Sequence, residues 1–288
     1  MTAPPRIDAH QHFWQLARGD YGWLTPDLAP LWRDFGPADL RPLLDACGID
    51  RTILVQAAPT EAETRYLLHL AANEDTVAGV VGWCDFEAAD AADGVARLAS
   101  LPGLAGLRPM IQDIADPDWM LQDRLRPAFD AMLRHGLRFD ALVRPVHLPR
   151  LLQLLQRHPG LPAVIDHGGK PDIAAAGLDA RATAAWQAWA PWIARLGRET
   201  GAFCKLSGLL TEAGSNCTAE TLRPWVDHLL DCFGPQRLIW GSDWPVVTLA
   251  ASYRAWHDMS VALLGHLDPA DRAALFGGNA ARFYGLRP

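Results

Sequence analysis

The 288-residue sequence has no apolar run approaching the ~18 residues that cross a bilayer, so no membrane span is expected. Its start, MTAPPRIDAH, lacks the basic and apolar parts of a secretory leader. Clustered Lys and Arg are also missing, and the formal net charge is −7. Binding nucleic acid takes grouped cations to neutralise phosphates, so nucleic acid is not an expected partner. Cysteine is scarce: five residues, scattered, with no C-x-x-C pair. That reads as free thiols in a reducing cytoplasm, not as a disulfide framework. No repeat, linker or low-complexity segment interrupts the chain, which therefore reads as one domain, residues 1–288. Half of it is apolar, enough for a substantial core.

Eight short β-like runs are present, at 6–11, 52–57, 77–85, 104–110, 139–144, 163–167, 203–207 and 238–242. Each is short, rich in Val, Ile or Leu, and mostly bounded by Gly, Pro or Asp. Between them lie helical patterns with recognisable ends. ADLRPLLDACG stops at Gly48, Thr60 precedes Glu63 in a capping-box spacing, and LRPWVDHLLDCFG stops at Gly234. Trp186, Trp189 and Trp192 recur at helical spacing and read as a packing stripe; a homo-oligomer contact there stays open. Strands alternating with helices predict a (β/α)8 TIM barrel of the α/β class. A doubly wound sheet is the alternative, but QHFWQL after the first strand is no Gly-rich phosphate turn. In a barrel, residues that end strands meet at one rim, where active sites are built.

The strand ends are unusual. The first carries His10 and His12, two residues apart and so on one face, with Asp8 below them. Arg108 ends strand four, Arg144 strand five, Asp166-His167-Gly168-Gly169-Lys170-Pro171 follows strand six, Lys205 and Ser207 end strand seven, and Ser242-Asp243-Trp244-Pro245 follows strand eight. Stability alone would send such groups to solvated helix faces. Neutral imidazoles on one face can hold a divalent cation such as Zn2+. Asp243 can take a proton from water while cationic neighbours stabilise the oxyanion of an attacked carbonyl. Neither Ser207 nor Ser242 stands in a G-x-S-x-G elbow, so neither is expected to be a nucleophile. Of the aromatics near these motifs, Trp14, Trp23 and Trp244 are candidates for stacking on a sugar ring. Arg108 and Arg144 are candidates for a carboxylate.

IDAHQHFW, GLRPM, DHGGKP, WGSDWPV and NAARFYGL occur in that order along essentially the whole chain. As a set they resemble the amidohydrolase superfamily. Within it the pattern is similar to the branch of sugar lactonases and 2-pyrone-4,6-dicarboxylate lactonase, especially enzymes of the L-fuconolactonase and L-rhamnonolactonase type. The resemblance implies a barrel that opens the ester ring of a lactone in carbohydrate catabolism, such as L-fucose degradation. It maps the superfamily's metal and catalytic positions onto His10, His12, His167 and Asp243. Asp243 is then general base and, once protonated, general acid, its pKa tuned toward neutrality in a partly dry site. Lys170 or Arg108 binds the oxyanion. A binuclear centre is not expected, because Arg108, Arg144 and Lys205 stand where further ligands would be needed. One cation and metal-independent catalysis both stay open. Alternatives are a dicarboxylate pyrone as substrate, a metal-dependent decarboxylase of the same superfamily, and a silent barrel that only binds sugar acids.

Overall fold

The computed structural model describes residues 5–176, 179–214 and 217–286. Eight strands pair in parallel in the order β1 to β8. They are β1 Ile7–Gln11, β2 Arg51–Val55, β3 Val77–Gly82, β4 Leu104–Leu107, β5 Arg138–Ala141, β6 Ala163–Ile165, β7 Phe203–Leu206 and β8 Leu238–Trp240. Helices α1 Pro37–Cys47, α2 Glu61–Ala71, α3 Ala91–Ala99, α4 Arg126–Arg134, α5 Leu148–Arg157, α6 Ile173–Ala176, α7 Ala184–Glu199, α8 Leu209–Ala213, α9 Ala219–Phe233, α10 Tyr253–Leu263, α11 Pro269–Ala273 and α12 Asn279–Tyr284 complete the chain. This is the expected (β/α)8 barrel. Among the described residues no helix is long and apolar enough to cross a membrane.

Local signals account for the helix ends. The Thr60 hydroxyl accepts the Glu63 N–H and opens α2, and left-handed Gly48 closes α1. In α5, Leu148, Leu151, Leu152, Leu154 and Leu155 form the buried stripe that turns the helix onto the sheet. Trp186 and Trp189 are buried in α7 while Trp192 is partly covered, so the tryptophan stripe is packing. Inside the barrel a separate cluster gathers Ile7, Ala9, Ile53, Val55, Val81, Ala105, Val164 and Ile239. Phe283 and Tyr284 of α12 join it and close the barrel's lower end.

Two strand features differ from the expected pattern. β5 stops at Ala141, so Arg144 lies beyond it in the following turn. In β1 the register shifts between Asp8 and Gln11. Ile7 and Ala9 face the inner cluster, whereas Asp8 points outward, accepting the Tyr253 hydroxyl of α10 at 3.1 Å and the Ser242 N–H at 2.8 Å. Strict alternation fails here, and Asp8 does not share the face of His10.

Candidate active site

The barrel closes through the residues of interest. The Asp243 N–H donates to the His10 carbonyl and the His12 N–H to the Trp244 carbonyl, each at 2.8 Å. Gly241 permits this approach, because a Cβ there would lie 2.8 Å from the His10 Cβ. Asp243 and His167 both take left-handed backbone, with φ of 59° and 53°. Gly208 (φ 65°) leaves room for the imidazole of His167, since a Cβ would fall 2.5 Å from its Nδ1.

The three imidazoles meet one carboxylate. Asp243 Oδ1 lies 3.3 Å from His12 Nε2, 3.7 Å from His10 Nε2 and 3.8 Å from His167 Nε2. All four side chains are buried. Burial strips solvent from the His167 imidazolium, outweighs the attraction of Asp243 and Asp166, and lowers its pKa to about 4. Burial and the nearby Lys205 charge push His10 well below its ordinary value. For Asp243, burial acts upward, but the His167 field and the His12 hydrogen bond outweigh it and hold the carboxyl below the usual carboxylate range. This corrects the expectation of a carboxyl tuned toward neutrality. Asp243 stays ionised, a weak base and a strong acid once protonated.

A cavity of about 210 Å³ opens above this floor, with His12, His167 and Asp243 at its base and Arg108, Lys170 and Trp23 on its walls. The Trp23 indole N–H donates to the Ala57 carbonyl at 2.7 Å, and Lys170 Nζ pairs with Glu212 at 3.2 Å. Three residues expected at the cavity stand elsewhere. Trp14 is fully buried behind Trp23, its ring centroid 5.6 Å away and its indole N–H held by the Arg33 carbonyl. Trp244 is buried against Phe13 and Phe35. Arg144 is exposed, and its backbone N–H donates to the His147 ring. Neighbourhood in sequence misled here, because the chain leaves strand geometry immediately after these strand ends.

Sequence reasoning also missed part of the floor. Under His10 lie Asp140, Asp166 and Lys205, all fully buried, with Arg108 Nη1 3.3 Å from Asp166 Oδ2. Asp140 was visible as a lone acid inside the apolar run RFDALV, and Asp166 stood in DHGGKP without a role. Beside the cavity, Gln112 has a buried Oε1 with no hydrogen-bond partner among the described residues.

His10, His12 and Asp243 offer ligand atoms all within 4.8 Å of one another, as do His10, Asp166 and His167. In the first set the carboxylate-to-ring spacings of 3.3 and 3.7 Å approach the ~3.4 Å between neighbouring ligands of a tetrahedral zinc. The His12 Nδ1 sits 2.7 Å from the Val55 carbonyl, the outer partner that usually orients a ligating imidazole. One divalent cation fits these donors. The second set does not fit another cation, because the Lys205 ammonium already lies 2.9 Å from Asp166 Oδ1 and 3.1 Å from His10 Nδ1.

A parallel eight-stranded barrel with a buried His-x-His, a third histidine and an aspartate at its open rim defines a hydrolase-type barrel. The chain belongs to the amidohydrolase family, whose pattern matches residues 7–286. It is 48% identical over 283 residues to a Burkholderia ambifaria protein named L-fucono-1,5-lactonase, covering 97% of this chain and 95% of that one. A Burkholderia multivorans protein of the same name is 40% identical over 292 residues, covering 98% and 96%. The fold also matches the crystal structure of a Burkholderia multivorans amidohydrolase with bound zinc, at a TM-score of 0.89 and 37% identity over 98% of this chain and all of that one.

Proposed function

We propose that this chain hydrolyses the ring ester of a sugar-acid lactone, of the L-fucono-, L-galactono- or L-rhamnono- type, in the cytoplasm. The observation that carries the reading is Asp243: an ionised carboxylate at the base of a cavity, flanked by three buried imidazoles, with Arg108 and Lys170 on the walls. Two relatives named L-fucono-1,5-lactonase, similar over nearly their whole length, support the substrate class. The free cysteines, three of them buried, support a reducing compartment.

In this mechanism Asp243 orients a water and takes its proton as the oxygen attacks the lactone carbonyl. Arg108 and Lys170 face the oxyanion from the walls. Protonated Asp243 then returns its proton to the leaving ring oxygen, a step that its lowered pKa favours. Trp23 offers an aromatic surface to the C–H face of the sugar, and the unpartnered Gln112 Oε1 accepts a substrate hydroxyl. The residues that would hold one divalent cation are His10, His12 and Asp243. When bound there, such a cation supplies Lewis acidity to the carbonyl and a more acidic water. A dicarboxylate pyrone fits less well, since the second arginine expected for it, Arg144, lies outside the cavity.

Proton release from a panel of sugar-acid lactones, with pyrone dicarboxylate included, tests the reading. Turnover of sugar lactones with little of the pyrone is the expected result. A protein that opens no sugar lactone overturns it.

A further inference from the structure

The spacing of Thr60 and Glu63 is that of a capping box, in which the acid reaches back to the N–H of the cap residue. Here only the first half of the box forms. The Thr60 hydroxyl accepts the Glu63 N–H at 3.0 Å, but the Glu63 carboxylate reaches past Thr60 to the loop between β2 and α2. Its Oε1 and Oε2 accept the Ala57 N–H at 3.0 and 3.1 Å, and Oε2 accepts the Ala58 N–H at 2.8 Å. Glu63 has no exposed surface. A carboxylate is costly to bury, and a helix already capped by Thr60 does not need one there.

The far side of the loop shows what the carboxylate holds. A trans peptide group is planar, with its N–H and C=O pointing in opposite directions, so a partner that fixes the N–H also aims the C=O. The peptide joining Gln56 and Ala57 gives its N–H to Glu63, and its carbonyl accepts Arg108 Nη2. The next peptide, joining Ala57 and Ala58, gives its N–H to Glu63, and its carbonyl accepts the Trp23 indole N–H at 2.7 Å. One buried carboxylate thus sets two successive peptide planes, and the carbonyls of those planes hold two walls of the reaction cavity. Such bonds polarise one another, so negative charge on the N–H side makes each carbonyl a stronger acceptor. Trp23 depends on this hold, because it lies partly buried in the loop between β1 and α1, outside any strand or helix. Arg108 has a second anchor in Asp166, 3.3 Å away.

We propose that Glu63 is a positioning residue for the substrate-facing wall. Its carboxylate fixes the Ala57–Ala58 peptide and, through it, the indole of Trp23 against which the sugar ring lies. Arg108 is held by the same device one peptide earlier. Glu63 itself touches no substrate.

The direct test follows the Trp23 indole N–H by 1H–15N correlation in the full-length protein at about pH 8. The chain has twelve tryptophans, and Trp23→Phe assigns the signal. In Glu63→Gln the amide offers one acceptor oxygen where the carboxylate offers two, so the Trp23 signal is expected to move upfield. An unmoved signal overturns the proposal. Wild type supplies the same readout without a variant. Burial raises the Glu63 carboxyl to about 7, and the groups that act on it are Arg108 from the end of β4, Asp20 and Tyr21 from the loop after β1, and Tyr66 from α2. The Trp23 signal is expected to move upfield as pH falls, with a midpoint near 7. A signal that stays flat through that midpoint overturns the proposal.

The kinetic arm rests on the lactonase reading. On a sugar lactone, Glu63→Gln is expected to raise KM about tenfold, the weight of one hydrogen bond to a charged group. Its kcat should stay within about threefold, because Asp166 still holds Arg108. Trp23→Phe, which removes the indole N–H, should raise KM similarly, and the double variant no further, since both changes break one path. An unchanged KM in Glu63→Gln, or effects that multiply in the double variant, overturn the route through Trp23. A wild-type protein that opens no sugar lactone strikes the lactonase reading and leaves the indole measurements standing.

Discussion

Replacing Asp243 with Asn tests the mechanism with the least disturbance to the fold. Asp243 sits at φ 59°, a left-handed conformation that most side chains resist. Alanine there adds strain of roughly 1 kcal/mol to whatever chemistry it removes, whereas Asn is among the residues that tolerate this region. Asn also fills the same volume in a buried site and keeps the Asp243 N–H to the His10 carbonyl. What it loses is the charge and the basic oxygen 3.3 Å from His12. Loss of a positioned general base costs about 10²- to 10⁴-fold in rate. Proton release from L-fucono-1,5-lactone should therefore show kcat down by at least about 10²-fold at similar KM. Because the fold holds this carboxyl below its ordinary pKa, the ionised form stabilises the protein near neutral pH, and that contribution disappears in the variant. Each kcal/mol lost lowers Tm by roughly 2–4 °C in a chain of this size, so a decline of a few degrees is expected. A variant that keeps kcat within about threefold of wild type, well short of what a general base supplies, refutes the assignment.

Arg144→Ala should leave kcat and KM unchanged within about twofold, as expected of an exposed residue away from the cavity; steady-state kinetics on the same lactone checks this, and a tenfold rise in KM would return Arg144 to the substrate. Glu63 is buried in the first turn of α2, where it accepts the N–H groups of Ala57 and Ala58, and burial raises its pKa from 4.5 to about 7. A raised carboxyl favours the folded state when protonated, so its contribution is complete below pH 4.5 and is lost as pH rises through about 7. At 1.36 kcal/mol per pH unit the swing is at most about 3 kcal/mol. Across that window Tm should fall more steeply, or rise less, with pH in wild type than in Glu63→Gln; identical slopes remove Glu63 as a contributor. Zinc reconstitution after chelation should saturate at one ion per chain by elemental analysis, since Lys205 fills the second position. Two ions per chain would contradict that geometry.

The barrel was legible because most strands are short apolar runs between turn residues, and several helices carry a cap of their own. Thr60 and Gly48 are examples where a local hydrogen bond or a left-handed backbone fixes the boundary. The convergence of His10, His12, His167 and Asp243 was legible for a different reason: parallel strands deliver their C-terminal ends to one rim. Arg144, Trp14 and Trp244 were misplaced because strand alternation ends where the strand does. Asp8 was misplaced by a register shift inside β1, which no alternation rule foresees. The ion network under His10 was hidden for a third reason. Asp140, Asp166 and Lys205 come from three strands, and a buried charge makes sense only with its partners in view.

The seam between β1 and β8 has a consequence for how this molecule becomes active. The hydrogen bonds that join the two ends of the barrel are made by the main chain of His10, His12, Asp243 and Trp244, the segments that carry the reacting side chains. Residues more than two hundred positions apart must meet before the ring exists, and such distant pairing comes late and slowly when a chain folds. A nascent chain that has not yet emitted residue 243 holds half a seam and no base. Activity therefore arrives with closure, in one step, and the turnover of a preparation counts its fully closed barrels.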